Sequence, residues 1–196
     1  MFTDNFAVDQ LADFCRTLEI PFASKPVNIA GAISKGRKEP CFTCAFFRRG
    51  AVNRQAQQAG YNKVAYAHHN DDAVETLLLG LLYAGQLKTF APKTFLSRTK
   101  LTVIRPLIYF REAELRAAVP LHGFTPLPNP CPFDGQTKRQ EIKNLLTELG
   151  KNNPSLYANL AGAIRLDKTA VELWPPPLPR NNLKQKHAAF WRLRDN

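Results

Sequence analysis

The segment from Lys63 to Ala84 constrains this chain more than any other. Lys63-Val64-Ala65-Tyr66-Ala67 is a short, mostly apolar run, His68 to Asp72 is polar, and Ala73 to Ala84 carries Leu77, Leu78, Leu79, Leu81 and Leu82. The first piece reads as a buried strand, the second as a turn and the third as a buried helix. Strands that alternate with helices predict an α/β domain with a parallel sheet. In such sheets ligands bind at the carboxyl ends of the strands, which is where His68, His69, Asp71, Asp72 and Glu75 fall.

The flanking sequence continues the alternation. Val8, Leu11, Ala12, Cys15 and Leu18 recur at helical spacing within residues 5–19, and Pro21 stops that helix. Cys15 lies on the apolar stripe and reads as a buried core thiol. Phe22 to Ile29 is expected to form a short strand, and Gly31 to Pro40 a basic loop. A helix runs from near Cys41 to before Gly60, and Leu101 to Ile104 is a strand ended by Arg105-Pro106. Arg111 to Val119 is a helix. Pro120 to Gly135 is a long Pro-rich loop carrying Cys131, and Thr137 to Leu149 and Ser155 to Leu173 are helices. Trp174-Pro175-Pro176-Pro177-Leu178-Pro179-Arg180 then breaks the last helix and opens a basic tail. The expected division is a main domain over residues 1–150, a C-terminal helix over 151–173 and a Pro-rich tail over 174–196.

A chain of 196 residues can bury one good core. No apolar run approaches the roughly 18 residues that span a bilayer, and the first residues lack a basic and apolar leader. The chain therefore reads as cytoplasmic, with no membrane partner. Its 27 Lys+Arg against 16 Asp+Glu give a net charge of +11, which favours a polyanion such as nucleic acid. Arg37, Lys38, Arg48, Arg49, Lys88, Lys93, Arg98, Lys100, Arg105, Lys138 and Arg139 supply cations, with Phe42, Phe46, Phe47, Tyr83 and Phe90 among them. Cations position a phosphate backbone and aromatics can stack bases, although most of these aromatics belong to the core.

Of the four cysteines, Cys41 and Cys44 form a C-x-x-C at the start of a helix. There the unpaired N–H groups favour thiolates, and i, i+3 spacing puts both sulfurs on one face. Cys131 sits in a rigid Pro-Cys-Pro loop with little packing reason for a thiol. Three thiolates suit an iron–sulfur cluster with one open iron, or zinc completed by His68, His69 or His122. Sulfur relay through a persulfide needs only two thiols. Asp71, Asp72 and Glu75 suit magnesium and suit ordinary helix capping equally well. Gly31 to Lys38 has the glycine spacing of a P-loop, but Arg37-Lys38 stands where Lys-Ser/Thr is required, so that reading is rejected.

Together these residues resemble the tRNA 2-thiocytidine synthetase family of N-type ATP pyrophosphatases, in the PP-loop superfamily. The matching pieces are Cys41-x-x-Cys44 with Arg48-Arg49-Gly50, then Lys63-Val64-Ala65 leading into His68-His69-x-Asp71-Asp72-x-x-Glu75-Thr76. Leu82-Tyr83-x-Gly85 with Pro92-Lys93, Val103-Ile104-Arg105-Pro106-Leu107, and Pro130-Cys131-Pro132 followed by Gly135-x-Thr137-Lys138-Arg139 complete the set. The resemblance implies an adenine-nucleotide α-hydrolase-like domain. It also implies an ATP- and Mg2+-dependent activation of a cytidine C2 oxygen in the tRNA anticodon loop, followed by sulfur attack and departure of AMP. By position, Cys41, Cys44 and Cys131 would hold a 4Fe-4S cluster. His68, His69, Asp72 and Arg105 would line the nucleotide site, Asp71 or Asp72 would lie near Mg2+, and Arg48 would stabilise phosphate or the adenylated intermediate.

The implied partners are tRNA and a sulfur donor, protein or sulfide, with a homodimer left open. The family's Ser-Gly-Gly-x-Asp-Ser pyrophosphate loop has no counterpart here, since no Gly-Gly pair occurs in the sequence. The expectation is therefore a PP-loop domain truncated at its N-terminus, which leaves open whether this chain itself is an active enzyme. The competing expectations are a non-catalytic RNA-binding or partner subunit that keeps the cluster site, and a zinc-stabilised nucleic-acid-binding domain.

Overall fold

A computed structural model describes residues 8–29, 31, 33 and 40–165. In chain order the described elements are α1 (Val8–Thr17), α2 (Pro40–Gln58), β1 (Lys63–Ala65), α3 (Asn70–Ala84) and β2 (Lys93–Leu96). They are followed by β3 (Leu101–Ile104), α4 (Glu112–Leu121), α5 (Lys138–Gly150) and α6 (Leu156–Arg165). The sheet order is β1-β3-β2. β1 pairs parallel to β3 with Val64 opposite Val103, and β2 pairs antiparallel to β3 with Thr94 opposite Val103. The α/β architecture with a parallel strand pair is the expected one.

β2 is the element the sequence did not suggest. It forms because the chain turns back on itself after Leu96, where Thr99 donates its N–H to the Leu96 carbonyl at 3.2 Å and Lys100 takes a φ of 54°. Lys93-Thr94-Phe95-Leu96 alternates exposed and half-buried residues, a pattern too short and too weakly apolar to stand out. Because a tight turn joins it to β3, it must run antiparallel.

Other boundaries moved for local reasons. The turn expected at His68 to Asp72 ends at His69, because Asn70, Asp71 and Asp72 are the first turn of α3. β1 stops at Ala65 and buries only Val64, although Tyr66 still donates to the Ile104 carbonyl at 2.9 Å. Leu81 and Leu82 are exposed, since α3 is packed only through its first half. The strand expected over Phe22 to Ile29 does not form; Phe22 and most of its neighbours are exposed and have no partner strand among the described residues. Cys15 is half-buried rather than a core thiol, as α1 buries none of its residues. α4 continues through Pro120 to Leu121. Of the basic loop expected at 31–40, the described residues Gly31, Ile33 and Pro40 are helical rather than loop; the rest of that segment, the last helix beyond Arg165 and the tail over 174–196 lie outside the described residues.

The core sits between α3, α5 and α6. Val74, Ile142 and Leu146 are fully buried, and Leu78, Leu79, Leu156, Tyr157, Leu160 and Ile164 pack against them. Burial of each large apolar side chain here contributes about 2 kcal/mol. On the sheet side Val64, Leu101 and Val103 are buried.

α3 ends at Gly85, whose left-handed φ of 59° lets its N–H reach the Gly80 carbonyl. Gln86 donates to the same carbonyl at 2.8 Å, so the exiting chain folds back over Gly80. A Cβ at Gly80 would stand 2.7 Å from the Gln86 carbonyl oxygen and 3.3 Å from that of Lys88. Gly80→Ala should therefore destabilise the protein by about 1–3 kcal/mol despite the better helix propensity of alanine. Gly162→Ala in α6, where a Cβ meets nothing within 4 Å, should be neutral or slightly stabilising. Urea unfolding of the two variants distinguishes these outcomes.

Candidate functional site

The site is organised by three carboxylates on the first turns of α3. The leading N–H groups of a helix need acceptors, and His69 and Asp72 supply them reciprocally. Asp72 donates its N–H to His69 Nδ1 at 3.4 Å, and Asp72 Oδ2 accepts from the His69 N–H at 3.0 Å. Asp71 is buried and faces the start of α4. Arg111 reaches it with Nε 3.0 Å from Oδ2 and Nη2 3.0 Å from Oδ1, and the Glu112 N–H donates to Oδ2 at 2.8 Å. The Arg111 guanidinium also stacks 3.8 Å above the Tyr157 ring of α6. Burial pushes the Asp71 carboxyl up, but these hydrogen bonds and the Arg111 charge outweigh it and hold it below its ordinary value.

Glu75 is 1% exposed. Arg139 Nη1 donates to its Oε2 at 2.6 Å, and Lys143 Nζ lies 3.7 Å from its Oε1 and 3.0 Å from Glu112 Oε2. Arg139 and Lys143 are i, i+4 on α5, on the face that also carries Ile142 and Leu146. Desolvation dominates at Glu75 and raises its carboxyl above the ordinary value, against the pull of Arg139 and Lys143. Of the two roles open from sequence, capping is the one seen at Asp72, while Asp71 and Glu75 are ion-paired. Asp72 keeps the most exposed carboxylate of the three, at 22% of its side chain.

A second group lies at the carboxyl ends of β1 and β3. The His68 ring is 5.6 Å from Tyr66 and 4.9 Å from Phe90, and the Arg105 guanidinium sits 4.7 Å over Phe90. Arg105 is anchored by Nη1 donating to the Ala91 carbonyl at 2.6 Å. Burial raises the Tyr66 hydroxyl, while Arg49, Arg105 and Arg48 oppose that shift through their charge. Burial also lowers His68, which is therefore neutral at pH 7. Among the described residues, Tyr66 Oη, His68 Nδ1 and Arg105 Nε are buried without a hydrogen-bond partner. Among the described residues, Arg48, Arg49 and Arg105 have no carboxylate at ion-pair distance. Orphaned polar atoms beside unpaired cations suit an anionic, hydrogen-bonding ligand.

The thiols are placed apart. Cys41 lies on the first turn of α2, behind Pro40 at its first position, and Cys44 at the start of the second. Cys131 is exposed on the loop before α5, with its N–H donating to Asn129 Oδ1 at 3.3 Å. None of the four cysteines forms a disulfide. Among the described residues no three His, Cys, Asp or Glu side chains are gathered at metal-holding distance. Three thiols outside any disulfide fit an iron–sulfur cluster in donor chemistry but not in their present spacing.

Arg111, Lys143 and Tyr66 are site residues that sequence reasoning did not single out, and Arg139, grouped there with the cations facing a polyanion, is bonded to Glu75. The available signal was Glu75 itself, a carboxylate on a leucine-rich helix that requires a buried cation. Arg139 and Lys143, spaced around Ile142, were the matching face.

The family model described as the PP-loop domain matches residues 4–149. The tRNA-cytidine(32) 2-sulfurtransferase of Syntrophotalea carbinolica is 38% identical over 126 residues, covering 63% of this chain and 49% of that protein. Its counterpart from Coxiella burnetii is 33% identical over 142 residues, covering 70% of this chain and 56% of the other. That of Geobacter sulfurreducens is 40% identical over 126 residues. The chain spans about half the length of these curated relatives. Among solved structures, the U34-tRNA thiolase NcsA from Methanococcus maripaludis with its [4Fe-4S] cluster superposes with a TM-score of 0.65 at 20% identity. That match covers 84% of this chain and 59% of the thiolase, and at this identity it shows a shared fold.

The lowered Asp71 carboxyl has a consequence for acid stability. Its stabilisation is fully present above the unfolded carboxylate pKa near 3.9 and is lost as pH falls through the lower folded value. Asp71→Asn should cost about 2–3 kcal/mol at pH 7, because Arg111 loses its bidentate partner, and should flatten this acid limb. Urea unfolding from pH 7 down to pH 3 measures both. A variant with wild-type stability at pH 7 would show that the Arg111 pair contributes nothing.

Proposed function

The chain belongs to the PP-loop domain family, and we propose that it serves the ATP-dependent thiolation of a cytidine in tRNA. The observation that carries this is the presence of Cys41, Cys44 and Cys131 together with the His68–Glu75 segment in a chain 33–40% identical to tRNA-cytidine 2-sulfurtransferases. Adenylation of the cytidine C2 oxygen releases pyrophosphate. Sulfur then displaces that oxygen, which leaves on AMP.

The residues divide the work by position. His68 and His69, at the carboxyl end of β1, and Arg105, at that of β3, line the nucleotide site. The orphaned atoms on His68 and Arg105 support this assignment. Asp72 meets Mg2+ through the most exposed of the three carboxylates, while Asp71 contributes by fixing Arg111 and the start of α4. Arg48 neutralises phosphate. Cys41, Cys44 and Cys131 would be the thiolates that hold a 4Fe-4S cluster, which requires them to be gathered more closely than they stand here. When bound, such a cluster supplies sulfur at an iron that no protein ligand occupies. The sulfur comes from sulfide or a donor protein, and the net charge of +11 favours the tRNA polyanion. Among the described residues no helix is long and apolar enough to cross a membrane, and a tRNA substrate favours a cytoplasmic setting.

After anaerobic purification the chain should absorb near 400 nm as a thiolate-bound cluster does, at about the iron and sulfide content of one cluster. Cys131→Ala should abolish that absorbance and Cys15→Ala should leave it intact. Supplied with ATP, Mg2+, sulfide and unmodified tRNA, the loaded protein should release pyrophosphate and form 2-thiocytidine detectable by nucleoside chromatography. A colourless protein holding stoichiometric zinc would overturn the cluster assignment. RNA binding with neither pyrophosphate nor 2-thiocytidine would reassign the chain as a binding subunit.

A further inference from the structure

Arg139, on the first turn of α5, reaches further into α3 than a counter-ion for Glu75 requires. Its Nη1 donates to Glu75 Oε2 at 2.6 Å and lies 3.5 Å from both the carbonyl oxygen and Oδ1 of Asp72. Its Nη2 donates to Thr76 Oγ1 at 3.1 Å. Lys143 already stands 3.7 Å from the other oxygen of Glu75, so neutralisation does not explain the contacts to Asp72 and Thr76. A planar guanidinium can hold several acceptors in fixed relative positions, and an ammonium cannot.

The other side of Arg139 leads to a thiol. The Cys131 carbonyl accepts from the Asp134 N–H at 3.0 Å, and the Phe133 carbonyl accepts from the Gln136 N–H at 3.1 Å. Thr137 then caps α5 by accepting from the Gln140 N–H at 3.2 Å. These consecutive turns run from Cys131 to the turn that presents Arg139.

We propose that Arg139 is a positioning residue that sets the Asp72 end of the His68–Asp72 segment and keeps it in register with the Cys131 loop. It acts through Asp72 and Thr76 and touches no reacting atom. This rests on the nucleotide role proposed above for His68–Asp72.

Arg139→Lys keeps the charge beside Glu75 and removes the fork. In the full chain three quantities are measured: melting temperature, ATP·Mg2+ affinity by equilibrium dialysis, and the iodoacetamide labelling rate of Cys131 against Cys15 by peptide mass spectrometry. The variant should melt within about 2 °C of wild type. It should bind ATP·Mg2+ about tenfold more weakly. Its Cys131 should label about threefold faster, with Cys15 unchanged. Either the affinity or the Cys131 rate at its wild-type value overturns the proposal. Should the wild-type chain not bind ATP, the nucleotide reading fails and the Cys131 rate alone decides, with no change overturning the positioning role. If Arg139→Lys does not fold, Thr76→Val removes one acceptor of the fork while keeping both cations on Glu75. It should move both readouts the same way by about threefold, and wild-type values there overturn the proposal.

Discussion

Everything on the working face of this domain depends on two carboxylates buried on one side of α3. Asp71 and Glu75 are i, i+4, and both lie below the surface. Removing an ionised carboxylate from water costs several kcal/mol unless it is paired and hydrogen-bonded. The fold meets that demand by importing cations from elsewhere: Arg111 from the start of α4, and Arg139 and Lys143 from α5. Such pairs roughly offset their own desolvation and add little net stability. Their effect is on arrangement, since they join the start of α4 and one face of α5 to α3.

The apolar contacts then follow the ionic ones. Ile142 and Leu146 reach Val74 because they share a face of α5 with Arg139 and Lys143. Tyr157 lies under Arg111, so α6 joins the same assembly. On the sheet side the parallel pair β1–β3 brings Tyr66, His68 and Arg105 to one edge, and the short antiparallel β2 closes the far side of β3. A rigid acidic face and a cationic, aromatic patch thus meet at the His68–Asp72 segment. Separating the two kinds of group matters chemically, because phosphate needs unpaired cations and the cations beside Glu75 are already committed.

The sequence was legible where a local pattern had one physical explanation. The leucine run of α3, the β3 strand stopped at Arg105-Pro106 and the Thr137 start of α5 lie where their periodicity and capping residues put them. Cys41 and Cys44 stand at the start of α2, as expected. What failed depended on partners distant in sequence. Phe22 to Ile29 has the composition of a strand, but a strand exists only with a neighbour. Cys15 sits on an apolar stripe, but α1 packs loosely. The meaning of Asp71 was hidden because its partner, Arg111, is forty residues away. Local pattern alone cannot separate a metal-binding carboxylate from an ion-paired one.

One detail of that ion pair reaches into how the molecule breathes. The residue at the N-cap position of α4 is Arg111, which offers no side-chain acceptor to the helix behind it, and Glu114 serves only the Arg111 N–H. The first helical N–H, that of Glu112, is met by Asp71 from α3. α4 therefore borrows its cap from another helix. The Glu112 amide is therefore shielded from solvent only while Asp71 on α3 is in place. The Glu112 amide hydrogen thus couples the start of α4 to a carboxylate forty-one residues upstream.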